Sequence, residues 1–543
     1  MNVPAIGRAV CAIVLFTPVQ TGMAAELSAN PKNYRAVLKT VKPGDTLTLA
    51  AGTYLRLPLL ELNGTPEAWI TITGPSSGPP AVIVPGGPQY NAVEIVDSSY
   101  LSIENLTINS QGIPGAFGIS AGGLDSNVTH DIRIDNNTFI GQNGNQQTDA
   151  ISTKTPTWRW TIRNNRILGA GTGLYLGSSD GSQPFVAGII ENNLIQDTIG
   201  YNMEIKYQSS LPADSGMPLE PTSTIIRNNV FIKNDQPSPD GDRPNVLVGS
   251  FPSSGSGALN MYEIYGNYFY HNGREALLQA SGRVSIHDNI FVDGGYAAVV
   301  LRNHDGPLKI AYVYNNTVYT VQKGIFFANR ALIDDAVAGN LVFASRPISG
   351  AIMRNAANIV DTYENASSYV TAASSEPGTA NFYPRPGRCQ GPPIDLSLFY
   401  TDTDYTLDFN GTPKNRTKGA VVFRGAYSGE GDNPGWKFQA ERKSPSAPLP
   451  PVPILVWMEP SSVRAGKTAS VTLTGANFTT DAKVAITGAG ASIRAVQVNG
   501  PAQITAKVEI TASGHHDVTV VTSSGTTNAL PLRVNSGQQA GRP

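Results

Sequence analysis

The chain has 543 residues, enough for a large buried core and more than one domain. Its net charge of −2 with only 15% charged residues leaves no basic footprint to neutralise phosphates, which excludes nucleic acid as a partner. Beyond the first residues no apolar run reaches the ~18 to 20 residues that a membrane span requires.

Residues 1–25 read as a secretory signal: Arg8 precedes the apolar run Ala9 to Phe16, and Gly22, Ala24 and Ala25 offer a cleavage site. A secreted protein, extracellular, periplasmic or on the cell surface, is therefore expected. Cys11 lies inside that segment, so Cys389 would be left alone and no disulfide framework can form. Residues 26–85 read as an opening coil. A short helix around Pro31 to Val41 would cover the open end of a strand stack, which is otherwise an aggregation edge.

From residue 100 to 345 the chain repeats a short apolar strand, an Asn and another apolar stretch, as in IRIDNNTFI, TIRNNRILG, IIENNLIQD and YVYNNTVYT. The markers Asn105, Asn137, Asn165, Asn193, Asn229, Asn267, Asn289, Asn316 and Asn340 are spaced by 32, 28, 28, 36, 38, 22, 27 and 24 residues. A short period with scattered insertions and no helical periodicity predicts an all-β solenoid, a right-handed parallel β-helix of about nine to eleven coils. Asn suits the turn because it tolerates left-handed backbone and its amide can bond neighbouring backbone, and stacked coils align such amides into a ladder. Residues up to 443 read as closing coils, and 444–453 (SPSAPLPPVP) as a stiff linker. Residues 454–535 alternate apolar and polar in short strands, as in AQITAKVEI, and predict an immunoglobulin-like β-sandwich before a tail at 536–543.

The third strand of each coil gathers polar residues on its outward side. Inward Ile151 leaves Ala150, Ser152 and Lys154 outward, inward Leu174 and Leu176 leave Tyr175, and inward Met203 and Ile205 leave Glu204 and Lys206. Further along, Gln279 and Arg302 follow, with His304 and Asp305 just past the strand. Aligned strands would set Lys154 and Lys206 about 10 Å apart, comparable to two sugar rings. Tyr207 opens the first of two long insertions, 207–224 and 234–244, which are placed to wall such a strip. The expected partner is a polysaccharide, held on the flat face and by Tyr175, Glu204, Tyr207, Gln279 and His304.

For an acidic polymer the chemistry is β-elimination, in which a cation offsets the carboxylate, a base removes the adjacent proton and an acid protonates the leaving oxygen. Lysine, tyrosine and arginine can fill those roles, which makes Lys154, Lys206 and Arg302 the catalytic candidates. Hydrolysis instead needs two carboxylates roughly 5 to 9.5 Å apart, and Glu204 with Asp149 or Asp180 are the available ones. A non-catalytic surface adhesin using the same face to hold glycan is the third reading. The six histidines give no metal motif, and Asp235, Asp240 and Asp242 lie in a segment without the spacing of an EF-hand.

Two stretches carry a resemblance. The opening VKPGDTLTLAAGTYLRLPLLELNGTPEAWITITGPSSGPPAVI and the later DAISTKTPTWRWTIRNNRILGAGTGLYL resemble the alginate lyase and chondroitinase B family of polysaccharide lyases. That resemblance implies Asp149 as a calcium ligand and Lys154 as the base. Where the family has Arg-His-Gly this chain has Leu176, Gly177 and Ser178, and a further acidic ligand falls on Gln147. Residues 454–535 similarly resemble IPT/TIG domains, which implies spacing, adhesion or carbohydrate contact.

Overall fold

The structure is a computed structural model that describes residues 24–536, apart from 124–126, 213–214, 415–421, 444–452, 523–524 and 528. The expected signal segment thus lies outside the described residues except for its last two positions, and the linker except for Pro453. Among the described residues no helix is long and apolar enough to cross a membrane.

Residues 26–361 wind into a right-handed parallel β-helix whose walls are three parallel sheets of 15, 12 and 11 strands. One coil shows the pattern: Thr161–Arg163 in sheet 1, a tight turn, Arg166–Leu168 in sheet 2, a looser corner, then Thr172–Leu176 in sheet 3. Strands pair in register with the coil before and the coil after, so every inward apolar side chain stacks on its own kind. The core so formed runs from Ala29 to Val342 and includes the ring stack Phe231, Phe269 and Phe291, with centroids 5.1 and 4.6 Å apart. The helix Tyr34–Leu38 closes the N-terminal end with Tyr34 and Leu38 buried, as expected.

The Asn ladder exists and is more specific than the sequence suggested. In the Asn-Asn turns the first residue takes the left-handed backbone, with φ between 54° and 57° at Asn136, Asn164, Asn192 and Asn228. The second points inward: Asn165 Nδ2 donates to the Ile134 carbonyl at 2.8 Å and to Asn193 Oδ1 at 3.0 Å, and the same bonds repeat coil after coil. Asn105 (φ 57°) belongs to the first class, and Leu106 takes the ladder position in its coil. At the other end Asn358 adds a rung beyond Asn340.

The closing coils expected up to residue 443 do not form. After Ile359–Asp361 the chain folds back across the outside of the helix, where Phe382, Phe409, Tyr427 and Phe438 bury the outward apolar residues of sheet 2, among them Val230, Tyr268, Ile290 and Leu341. Outward apolar residues on sheet 2 cannot stay wet, and a cover, rather than more coils, removes them from water. Residues 454–535 form two mainly antiparallel sheets around a separate apolar core, an immunoglobulin-like sandwich.

Candidate functional site

On sheet 3 the register lines up one outward column: Ser120, Ser152, Tyr175, Glu204, Leu247, Gln279, Val300 and Phe326. Thr153, Leu176 and Ile205 are in register, so the residues that follow them, Lys154, Gly177 and Lys206, make a second column. Gly177 leaves the space between the two lysines open, since a Cβ there would lie 3.3 Å from Lys206 Cβ. One expected orientation fails. Ala150 sits in the core beside Ile151, because the chain turns the corner into sheet 3 there, and Asp149 takes a buried place beside the cluster in its stead.

The side chains of five expected residues converge. Lys154 Nζ stands 3.4 Å from the Tyr175 ring centroid, and Lys206 Nζ stands 5.8 Å from the same centroid while donating to Glu204 Oε1 at 2.9 Å. Asp149 is 3% exposed, and burial pushes its carboxyl up to about 7, opposed by the Lys154 charge and reinforced by Glu204. Burial also lowers the Lys154 ammonium, against the pull of Asp149 and Glu204. The Tyr175 hydroxyl is raised, first by burial and then by Glu204 and Asp149, so it stays protonated. The group therefore offers an amine that gives up its proton below the usual lysine range, a phenol that keeps its proton, and a carboxyl that can hold one near neutrality.

A cleft of about 500 Å³ opens beside this cluster, lined by Pro156, Ser178, Ser179, Asp180, Ser182, Gln183 and Pro212. Ser178 and Ser182 donate to Asp180 Oδ1, both at 2.7 Å, and these bonds hold its exposed carboxyl down at about 2. The first insertion builds the opposite wall: Leu211 and Met217 bury against Trp158 and Val186, and Tyr207 lies against Gly181. The second insertion sits at the other end of the strands. It is tied down by Asp240 N donating to Gln146 Oε1 at 2.9 Å and by His271 paired with both Asp235 (3.0 Å) and Asp293 (2.7 Å). Both insertions thus flank the strip.

Arg302 does not join the cluster. It follows Leu301, three coils beyond Lys206 in register, or about 14 Å along the axis. Its charge instead opposes the burial-driven rise of the Glu275 carboxyl, together with Arg243. His304, 3.6 Å from Asp305, lies beyond the same strand end, and Gln279 is buried two coils past Glu204. Leu176 points into the core, so the position of the family's arginine carries no acid here and Tyr175 is the outward residue. Sequence reasoning missed Trp158, which anchors the cleft wall, and Tyr201, whose hydroxyl is raised by burial and then by Glu204. The run of Trp158 and Trp160 after Lys154 was the available signal for the first; for Tyr201 the sequence held none.

Calcium does not fit the residues present. Asp149 faces Lys154, while Gln147, where a second ligand would be needed, is exposed and turned to Asp240 Oδ2 at 3.4 Å. Among the described residues no three His, Cys, Asp or Glu side chains gather as a metal site would require. Of the acidic loop, Asp235 is paired with His271 and Asp242 with Arg274 at 3.3 Å.

No curated protein matches the chain. Among solved structures it is similar to the PL6 family alginate lyase AlyGC, at 15% identity and TM-score 0.43, over 62% of this chain and 51% of that one. It is also similar to the pectate lyase Pel9A (13%, TM-score 0.42, 74% and 96%) and to PfbA, a surface adhesin of Streptococcus pneumoniae (11%, TM-score 0.36, 61% and 85%). The chain thus spans about half the length of the alginate lyase, and likenesses at this level assign no activity. Residues 149–361, which include every residue of the cluster, match the family described as right handed beta helix region.

Proposed function

We propose that this chain is an exported β-helix protein that holds an acidic polysaccharide along sheet 3 and cleaves it by β-elimination. The observation that carries the reading is the Lys154 ammonium set on the Tyr175 ring within a largely buried cluster, at strand ends that lead into the residues lining the cleft. Lys206, held by Glu204, offsets the carboxylate of the uronate. Lys154 Nζ takes the proton beside that carboxylate, the electron pair forms the carbon–carbon double bond, and the Tyr175 hydroxyl protonates the departing glycosidic oxygen. Asp149 positions Lys154, and Arg302, His304 and Gln279 contact sugars farther along the face. The sandwich at 454–535 is an IPT/TIG-type module that spaces or anchors the helix.

A second reading rests on Asp149. A carboxyl that titrates at about 7 is suited to donate a proton to a glycosidic oxygen, with Glu204 as its partner in hydrolysis. Incubating the protein with alginate, pectate, glycosaminoglycans and neutral glycans separates the readings. Ultraviolet absorbance of unsaturated uronates on one acidic polymer, lost in Lys154→Ala, is the expected result. Reducing ends without absorbance, lost in Asp149→Asn, would replace elimination by hydrolysis, and binding without either product would make the protein an adhesin.

A further inference from the structure

Beyond the cluster, the outer face of sheet 3 changes character. Ala276, Ala297 and Val300 form a small apolar group outside the core, covered by the half-exposed rings of Tyr296 and Phe326. Lys323 stands between those rings, its Nζ 3.9 Å from the Tyr296 centroid and 4.4 Å from that of Phe326. In register with Lys323 on the next coil is the exposed Arg346. Among the described residues neither cation has a carboxylate partner in an ion pair, whereas Lys206, four coils back on the same sheet, is paired with Glu204, and Arg274 and Arg354 are paired with Asp242 and Asp334.

Two like charges one coil apart repel each other, and a fold that stacks in register can avoid this by placing an acid between them. Here they are left uncompensated beside two aromatic rings. From these observations we infer that Tyr296, Lys323, Phe326 and Arg346 form a separate binding platform for an anionic sugar chain, with the cations meeting carboxylate or sulfate groups and the rings meeting sugar faces. The inference rests on the reading that sheet 3 carries an acidic glycan. Phe326 lies five coils from Tyr175 in register, about 24 Å along the axis. A chain of about five sugar rings spans that distance, so the platform would hold the far part of a long chain and ignore a short one.

The test is affinity electrophoresis and titration of the full chain with polygalacturonate, alginate and heparin, with their trimers, and with a neutral glucan. Wild-type protein should bind one of the polyanions more tightly than its trimer. Lys323→Glu with Arg346→Glu should remove that length advantage, roughly tenfold in affinity, with trimer binding and Tm unchanged. Added salt should erode the same advantage. Retention of the length advantage by the double variant would overturn the platform, as would equal binding of the neutral glucan or no binding of any polyanion. The cleavage reading is judged separately by the absorbance change and its loss in Lys154→Ala, so the two can fail independently.

Discussion

Single residues carry both the stability of the stack and the chemistry of the cluster. Asn229 accepts from Asn193 N and Nδ2 at 3.0 and 2.9 Å and donates to the Ile190 carbonyl and Asn267 Oδ1 at 2.8 and 3.0 Å, all within the core. Asn229→Ala strands several buried partners at once and should cost about 3 kcal/mol, measurable as a lower midpoint in urea. In the cluster the sign of the pH dependence tells the mechanisms apart. Elimination needs Lys154 neutral, so turnover should climb as pH rises through its lowered value. Hydrolysis needs Asp149 protonated, so turnover would fall as pH rises through about 7. Lys154→Ala should lower kcat by roughly 10² to 10⁴ while leaving glycan binding within a few-fold.

Elements outside the coils decide how the site is enclosed. The insertion 207–224 is pinned by Leu211 and Met217 on Trp158 and Val186. Removing both anchors with Leu211→Ala and Met217→Ala should free the cleft wall, raising KM several-fold with kcat nearly unchanged, because the lysines stand on the rigid sheet. The cover between 362 and 443 ends on Lys443, whose Nζ donates to Asn228 Oδ1 and the Gly266 and Phe409 carbonyls. Burial lowers this amine to about 7, against the opposing charges of Asp408 and Asp288. Between about 7 and the ordinary lysine value the unfolded chain binds the extra proton, so this residue makes the fold more stable as pH rises across that window. Limited proteolysis of the cover should therefore slow from pH 7 to pH 9, and Lys443→Met should flatten that slope.

At the scale of the whole molecule, the β-helix and the sandwich have cores that share no residue. A chain ending at residue 443 should keep the helix transition and any cleavage, and residues 454–535 should melt alone, each seen as one calorimetric transition. The coiled repeat and the sandwich were legible because each rests on a local period, Asn turns every few tens of residues and alternation along strands, but the stack runs to 12 strands in sheet 2 where about nine to eleven coils were expected. Lys154, Tyr175, Glu204 and Lys206 were legible because register in a parallel stack is nearly fixed by inward apolar residues, whereas Asp149 entered only as a carboxylate near the strip and as the ligand that the resemblance implied. Ala150 was misassigned because a corner breaks the alternation, and Arg302 was grouped with the lysines because it continues their column, although three coils separate it from Lys206.

The sequence by itself determined the repeat, the direction of most side chains and the residues able to do acid–base work, since these follow from nearest neighbours along and across strands. Only the tertiary structure decided that residues 362–443 cover sheet 2 instead of extending the stack, because their apolar residues are satisfied by partners far away in the chain. It alone decided that Lys154 rests on Tyr175 and that the Asp149 carboxyl is raised to about 7, because burial and the approach of charges from different coils set those properties.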